Sequence, residues 1–184
     1  NDVRSINLTG TDTLRVRSAW RIHSGVNTTF ALGNATILLV TDSDDNTFEG
    51  GNRTYRDVVV RNTSSGNKSI YIQGNNNIRD VYMRFPFTGG AAKLVYFDNV
   101  AVFRNIDISY SGSNFLWTYF RNGPSTFNNV NINTSVNGNA RIYFQNNGHQ
   151  FNNFNVQSVG GNANFFFESA NNQFQDFVIT STGT

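Results

Sequence analysis

Apolar residues return along this chain in a six-residue pattern about every 24 residues. In each copy an apolar residue is followed by any residue, then Asn or Asp, an apolar residue, any residue and a last apolar residue. The six copies begin at Tyr55, Ile78, Phe103, Phe127, Phe151 and Phe174. Self-similarity at a fixed period of this length is typical of stacked repeat architectures. The pattern therefore predicts a solenoid in which each repeat forms one coil.

A second apolar stretch occurs at a constant offset within each period. Its copies end at Ile72, Phe97, Phe120, Phe144 and Phe167, and Phe48 and Ile22 extend the series towards the N-terminus. Alternation of apolar and polar residues, in short runs bounded by Asn, Gly, Ser and Asp, indicates short strands between turns. No segment carries a sustained period of 3.6 residues with a cap, so we expect essentially no helix.

One repeat is long enough to travel once around a coil with three short faces, at ~3.3 Å per strand residue. Successive coils would pair in parallel, and about seven coils would stack to a height of ~34 Å. We therefore predict an all-β chain, a parallel β-helix that forms one domain over residues 1–184. Residues 1–47 are less regular than residues 48–184, and we expect them to form the first part of the same domain.

The run Phe127–Ile132 (FNNVNI) resembles the coils of the right-handed parallel β-helix superfamily, which includes pectate-lyase-like polysaccharide enzymes and phage tailspikes. Its Asn or Asp position resembles the interior asparagine ladder of that superfamily, where stacked side-chain amides bond one another and the turn backbone. The ladder would consist of Asp57, Asp80, Asn105, Asn129, Asn153 and Asp176. The resemblance covers roughly residues 48–180 and implies the right-handed fold, but one such scaffold carries many functions.

Composition excludes several classes of function. The chain has no cysteine, and hence no disulfide framework. Its net charge of +2 is too small to argue for nucleic-acid binding. No apolar run approaches the ~20 residues of a membrane-spanning helix. The only histidines, His23 and His149, lie about five coils apart, so neither a His-based catalytic triad nor a multi-His metal site is expected. We expect no cofactor.

Asp57 and Asp80 are the best candidates for catalysis. They occupy the same corner of adjacent coils, so they would lie about one strand spacing apart, close to the ~5 Å that separates the carboxylates of retaining glycosidases. A structural ladder explains all six positions, with Arg56 and Arg79 balancing the charge, whereas catalysis explains only two. The connections between coils are also short and uniform, while catalytic and binding residues concentrate on loops. We therefore predict a protein that is not an enzyme.

A short acidic run is the only candidate metal site. Asp42, Asp44 and Asp45 offer oxygen ligands close together, which suits calcium. The run lacks the spacing of an EF-hand loop, so a solvated turn is the favoured interpretation.

One aromatic residue per coil occupies the middle of the second apolar stretch, where alternation points it outward. These residues are Tyr71, Tyr96, Tyr119, Tyr143 and Phe166, which we call the aromatic column. An exposed apolar patch usually marks an interaction site, here with another copy of the chain or with a glycan. Aromatic side chains also stack across strands simply to stabilise a sheet. The sequence leaves both roles open.

Seven Asn-x-Ser/Thr sequons would allow glycosylation if the protein is exported. They are centred on Asn7, Asn27, Asn34, Asn52, Asn62, Asn67 and Asn133. Their number is close to the chance expectation for a chain this rich in Asn, Ser and Thr, so the count alone indicates nothing.

Both ends of the sequence carry strand-like apolar residues and neither shows a capping helix. An open solenoid end exposes unpaired backbone and the apolar interior, and a contact between two different ends builds an open filament. We expect an extracellular structural protein that polymerises head to tail. The alternative is a carbohydrate-binding or polysaccharide-degrading, tailspike-like β-helix that uses the aromatic column. The predicted docking residues are Val3, Ile6 and Leu8 at one end and Phe174, Phe177 and Ile179 at the other.

Overall fold

The computed structural model describes residues 4–7, 12–22, 28–31, 35–98, 101–135, 137–146 and 148–182, with only the backbone described for 4–7 and 28–31. Within these ranges the chain forms strands and no helix. The strands are β1 (Arg4–Asn7), β2 (Thr13–Arg17), β3 (Ala19–Arg21), β4 (Thr28–Ala31), β5 (Thr36–Thr41), β6 (Asn46–Glu49), β7 (Thr54–Asn62), β8 (Lys68–Gln73), β9 (Asn77–Phe85), β10 (Lys93–Asp98), β11 (Val102–Tyr110), β12 (Phe115–Arg121), β13 (Thr126–Thr134), β14 (Asn139–Phe144), β15 (Gln150–Ser158), β16 (Ala163–Phe167) and β17 (Gln173–Ser181). Among the described residues, no helix is long and apolar enough to cross a membrane.

The strands form a parallel β-solenoid, which confirms the predicted fold class. An eight-stranded sheet has the order β17-β15-β13-β11-β9-β7-β5-β2, and a seven-stranded sheet has the order β16-β14-β12-β10-β8-β6-β3. A separate parallel pair joins β1 to β4. From β5 onwards the chain passes from one large sheet to the other and returns one strand further along, so each pair of successive strands completes one coil of about 24 residues.

The corner predicted at the Asn or Asp position does not end a strand in the regular coils. The residues expected on the second and third faces form a single nine-residue strand, such as β13. Along that strand Phe127 pairs with Phe151 and Asn129 pairs with Asn153, while the residue between them is unpaired. The equivalent residue is skipped in every pair of regular coils, so adjacent strands bend together without a shift of register. The corner is therefore a bend within the eight-stranded sheet.

Alternation along the strands fills the interior with stacked apolar side chains. In the seven-stranded sheet, Phe120 stacks between Phe97 and Phe144, with ring centroids 5.2 and 5.6 Å apart. Phe127, from the eight-stranded sheet, packs its edge against Phe120 at 4.9 Å. Each coil thus contacts the coils directly above and below it, as in other repeat proteins.

The first coils depart from the register that the sequence predicts. Trp20, and not Ile22, pairs with Phe48, because β3 ends at Arg21. Ile22 is buried beyond the strand, where its backbone N–H donates to the Glu49 carbonyl at 2.9 Å. The equivalence of Ile22 with Phe48 was therefore wrong by two residues.

Candidate functional site

The six ladder positions lie in one row across β7, β9, β11, β13, β15 and β17. Four of them form a chain of amide hydrogen bonds. Asn105 Nδ2 donates to Asp80 Oδ1, Asn129 Nδ2 donates to Asn105 Oδ1, and Asn153 Nδ2 donates to Asn129 Oδ1, each at 2.7 Å. The side chains therefore link successive coils in addition to the backbone pairing.

The ladder is not uniformly interior. Asp57 and Asp80 are buried, with exposed fractions of 7% and 1%. Asn153 is exposed although a further coil covers it, so the prediction of a buried row is wrong there. The reason is steric, because Phe151 and Phe154 fill the interior on both sides of the bend, with ring centroids 5.2 Å apart. The amides consequently run along the outer edge of the corner, with Asp176 exposed in the last coil.

Arginines neutralise the two carboxylates that resemble a catalytic pair. Arg104 binds Asp80 through two nitrogens at 2.9 and 2.5 Å. Arg79 contacts both carboxylates, at 2.9 Å from Asp57 and 3.2 Å from Asp80. Burial alone would raise the pKa of Asp80, but the hydrogen bonds from Arg104 and Asn105 and the charges of Arg104 and Arg79 lower it below the ordinary value. Both oxygens of Asp80 are occupied by hydrogen bonds from Arg79, Arg104 and Asn105, and this geometry favours a structural role.

A second polar row, of which sequence reasoning identified only Arg56 and Arg79, lies directly beside the ladder. Asn152 Nδ2 donates to Asn128 Oδ1 at 2.8 Å. The sequence did carry a signal, since every residue that precedes a ladder position is Arg, Asn or Gln. The row consists of Arg56, Arg79, Arg104, Asn128, Asn152 and Gln175.

Asn129→Leu is expected to lower the free energy of unfolding by about 1–2 kcal/mol, because the amide both donates to Asn105 and accepts from Asn153. Asn131→Leu, two residues along the same strand, is the matched control and should cost less. Urea unfolding followed by circular dichroism gives both values. Equal losses would show that the ladder bonds do not contribute to stability.

The aromatic column lies on the outer face of the seven-stranded sheet and is continuous. Its ring centroids are 4.9, 4.8, 4.6 and 4.4 Å apart from Tyr71 to Phe166, and the interplanar angles lie between 8° and 13°. The four tyrosines are half-buried. The guanidinium of Arg121 lies 4.3 Å from the Tyr96 ring centroid and also pairs with Asp98.

Stacking at this distance covers the faces of the inner rings, so they present edges and hydroxyl groups to solvent. Burial, and then the neighbouring tyrosines, raise the pKa of Tyr119 to about 12. A sugar ring packs against an aromatic face, and within the column only the two end rings, Tyr71 and Phe166, have a face that no other column ring covers. The geometry therefore favours stabilisation of the sheet over carbohydrate binding along the column.

Two buried polar side chains were also missed. Lys93 is fully buried and its Nζ donates to the carbonyls of Ser64 and Gly66 at 2.9 and 2.8 Å. Burial, with a smaller effect of Lys68, lowers the pKa of Lys93 to about 8. The alternation that places Val95 and Phe97 inward places Lys93 inward too, so a signal was present. His149 is fully buried, and its Nδ1 accepts from the Ser125 N–H at 3.2 Å.

The acidic run forms an exposed turn whose carboxylates face different partners. Asp44 accepts from the Ser18 hydroxyl at 2.9 Å, and Asp45 accepts from the Ser69 N–H at 2.9 Å. Asp42 is exposed. Among the residues that the structure describes, no three His, Cys, Asp or Glu side chains converge as metal ligands would.

The sequons differ in accessibility. Asn62 is fully buried and donates to Asn46 Oδ1 at 2.9 Å, so its prediction as a possible glycan acceptor is wrong for the folded chain. Asn52 and Asn67 are exposed and Asn133 is half-buried on an outer face. The Asn7 side chain, Asn27 and Asn34 lie outside the described residues.

The last coil exposes the apolar side chains that earlier coils bury. Phe167, Phe177 and Ile179 are 57%, 37% and 45% exposed, and the residues that pair with them one coil earlier, Phe144, Phe154 and Val156, are at most 1% exposed. Both β16 and β17 lie at the end of a sheet, so one backbone edge of each has no partner strand within the described chain. We call this surface the C-terminal end.

The opposite end is formed by the edge strands β2 and β3. Leu14, Val16 and Trp20 are only half-buried there and pack against the core from one side. Val3 and Leu8, two of the predicted docking residues, lie outside the described residues, and for Ile6 only the backbone of β1 is described. We call the surface of β2 and β3 the N-terminal end.

The two ends carry opposite charge. Arg15, Arg17 and Arg21 are exposed on β2 and β3, with Asp12 beside them. The sequence has no Lys or Arg after Arg141, whereas the last coil carries Glu168 and Asp176. Contact between unlike ends would bring opposite charges together, and contact between like ends would bring like charges together.

Comparison with known proteins finds no matching family model, no matching curated protein and no matching solved structure. The fold therefore rests on the strand pairing of this chain, and its function has to be inferred from the geometry of its surfaces.

Proposed function

We propose that this chain is a non-enzymatic, extracellular structural protein that assembles head to tail, with β17 of one copy pairing in parallel with β2 of the next. The exposed apolar side chains of the C-terminal end carry the proposal, because their counterparts one coil earlier are buried by a covering coil. A covering strand from a second copy would bury these side chains in the same way. Because the contact joins two different ends, it can be repeated from copy to copy and builds an open filament.

The internal register supports one particular joint. If the rows of the eight-stranded sheet continue across it, Asp176 would lie opposite Thr13 of the next copy, Phe177 opposite Leu14 and Ile179 opposite Val16. Arg15 of the next copy then lies diagonally across from Asp176, within reach of a long side chain. Arg84 and Asp107 form a diagonal pair between adjacent strands within the chain, at 3.0 Å, with the arginine on the earlier strand. This register replaces the docking predicted around Val3, Ile6 and Leu8 with a contact centred on β2.

The resemblance to pectate-lyase-like and tailspike-like β-helices remains part of the proposal. It is supported by the repeat and by the amide ladder, and we infer a right-handed coil because parallel crossover connections are almost always right-handed. The alternative function, binding or cleavage of a polysaccharide, draws no support from the stacked column, whose inner ring faces are covered.

The double variant Phe177→Asp with Ile179→Lys is expected to remain dispersed at concentrations where the wild-type protein forms filaments. Charged groups at these positions would be buried without partners in the joint, and the apolar contact, worth ~25 cal/mol per Å² of buried surface, would be lost. Electron microscopy and sedimentation velocity measure the outcome. Wild-type filaments should show an axial repeat of about 38 Å, eight strand spacings of ~4.8 Å.

Asn155→Asp with Gln157→Lys is the matched control, since it makes the same charge change on outward positions of β15. This control should still polymerise. A wild-type protein that stays monomeric at high concentration, or a Phe177→Asp, Ile179→Lys variant that polymerises normally, would contradict the proposal.

A further inference from the structure

A groove on the outer face of the eight-stranded sheet lies beside the bend, over β7, β9 and β11. These strands are inside the sheet, with β5 and β2 on one side and β13, β15 and β17 on the other, so neither end of the solenoid forms part of the groove. Its volume is about 340 Å³, and its floor lies over Tyr55 and Ile78, whose side chains are buried. One wall consists of Thr54, Asn77 and Val102, and the first four members of the second polar row form the opposite wall. We call it the arginine groove.

Two buried carboxylates fix the arginines of this wall. Arg56 donates to Asp57 through Nε at 3.0 Å, and Arg79 donates to both Asp57 and Asp80. Arg104 donates to Asp80 through Nε and Nη2. Among the residues that the structure describes, the Nη1 atom of each arginine has no hydrogen-bond partner. The three side chains are 30%, 42% and 55% exposed, so their unused N–H groups are open to a ligand, and little side-chain ordering is needed to bind one.

Positive charge exceeds negative charge in the arginine groove. Three guanidinium groups face two carboxylates, because the ladder changes from Asp to Asn after Asp80 while the row beside it keeps an arginine for one more coil. Arg104 therefore lies beside the neutral Asn105, and the next wall residue, Asn128, is also neutral. One positive charge is left uncompensated among these side chains. A concave surface with surplus positive charge attracts anions, and the forked donors of arginine match the geometry of oxyanions.

We propose that the arginine groove binds a tetrahedral oxyanion, sulfate or phosphate, either free or as the terminal group of an ester. Arginines on adjacent coils lie one strand spacing, ~4.8 Å, apart, so different oxygens of one such ion can accept from two guanidinium groups. The Thr54 hydroxyl and the Asn77 amide, on the opposite wall, can donate to a third oxygen. A carboxylate has only two oxygens, which match the fork of a single guanidinium. Val102, 52% exposed, offers an apolar contact to the carbon side of an ester.

The test measures anion binding to the full chain carrying Phe177→Asp and Ile179→Lys, which lie in the last coil, outside the groove. The unmodified chain serves equally if it does not assemble. Inorganic sulfate, inorganic phosphate, methyl phosphate and acetate are titrated at low ionic strength in chloride buffer, because salt screens exposed charges. NMR signals of the arginine N–H groups report the site, and calorimetry reports the stoichiometry.

Saturable binding of one sulfate or phosphate per protomer is expected, with shifts of the Arg56, Arg79 and Arg104 signals. Acetate should bind at least tenfold more weakly. Methyl phosphate distinguishes the two sources of the anion. Affinity within threefold of that for inorganic phosphate identifies an ester as a fitting ligand, and binding weakened tenfold or more identifies the free ion.

Asn128→Asp cancels the surplus charge and leaves every arginine in place. The new carboxylate can still accept from Asn152, as Asn128 Oδ1 does at 2.8 Å, so the fold should be retained. Affinity for sulfate or phosphate should fall at least tenfold. Asn131→Asp, at an outward position on the same strand, is the matched control and should change affinity less than twofold.

A second pair of variants removes one positive charge from β7. Arg56→Gln should weaken binding at least fivefold, while Asp57 keeps its bond from Arg79. Arg61→Gln removes an exposed arginine on the same strand, outside the groove, and should change affinity less than twofold. Equal losses within either pair of variants would show attraction by net charge alone and overturn the proposal. Acetate that binds as tightly as sulfate and phosphate, or no saturable binding of either ion, also overturns it.

Discussion

Replacing Phe120 with alanine is expected to lower the free energy of unfolding by about 3–5 kcal/mol, the range for removing a buried aromatic side chain. Phe120 is fully buried, and its ring stacks between Phe97 and Phe144. It also meets the edges of Phe127 and Phe151, at 4.9 and 5.1 Å. Alanine would leave a cavity lined by rings from three coils. The rings around it are fixed by stacking and cannot collapse into the space.

The loss should be measured in the Phe177→Asp, Ile179→Lys background, where association does not contribute to stability. Asn131→Ala, on an outward position of β13, is the control and should cost less than about 1 kcal/mol, as surface substitutions do. Urea unfolding by circular dichroism provides both free energies. A loss below about 1 kcal/mol for Phe120→Ala would mean that the aromatic interior does not hold the coils together.

His149 is expected to make the fold sensitive to acid. Burial lowers its pKa to about 4 from the ordinary value of 6.5, outweighing the Phe120 carbonyl, which raises it. The folded state therefore keeps the imidazole neutral, while the unfolded chain takes up a proton below about pH 6.5. The contribution of His149 to stability is complete above pH 6.5 and is lost progressively as the pH falls to about 4. The full loss is about 3 kcal/mol, at ~1.4 kcal/mol per pKa unit.

The comparison of wild type with His149→Gln isolates this effect from the carboxylates, which titrate in both proteins. Glutamine keeps an acceptor for the Ser125 N–H but does not ionise. The free energy of unfolding of wild type, relative to that of the variant, should fall by about 3 kcal/mol between pH 7 and pH 4. A pH-independent difference, or an imidazole that titrates near 6.5 by NMR in the folded protein, would contradict the assignment.

The repeat was readable from the sequence because a parallel solenoid stacks equivalent residues directly on one another. Asn105, Asn129 and Asn153 bond across three coils as the period of 24 residues requires. Tyr119 and Tyr143 stack at 4.6 Å for the same reason. Alternation likewise determined that Phe120 points inward and Tyr119 outward. The fold class, the strand register of the regular coils and the membership of each row follow from local periodicity alone.

The tertiary structure decided what each row faces. Periodicity could not show that Phe151 and Phe154 fill the corner and leave Asn153 outside, because burial depends on the volume of side chains from neighbouring coils. Periodicity also could not show that β7 and the equivalent strands of later coils continue through the bend. Whether a strand continues depends on its pairing with both adjacent strands. Phe167 and Phe177 repeat the pattern of earlier coils, so local alternation alone does not distinguish their exposure from the burial of Phe144 and Phe154. Local alternation sets the direction of a side chain, but only the presence or absence of a covering coil determines whether it is buried.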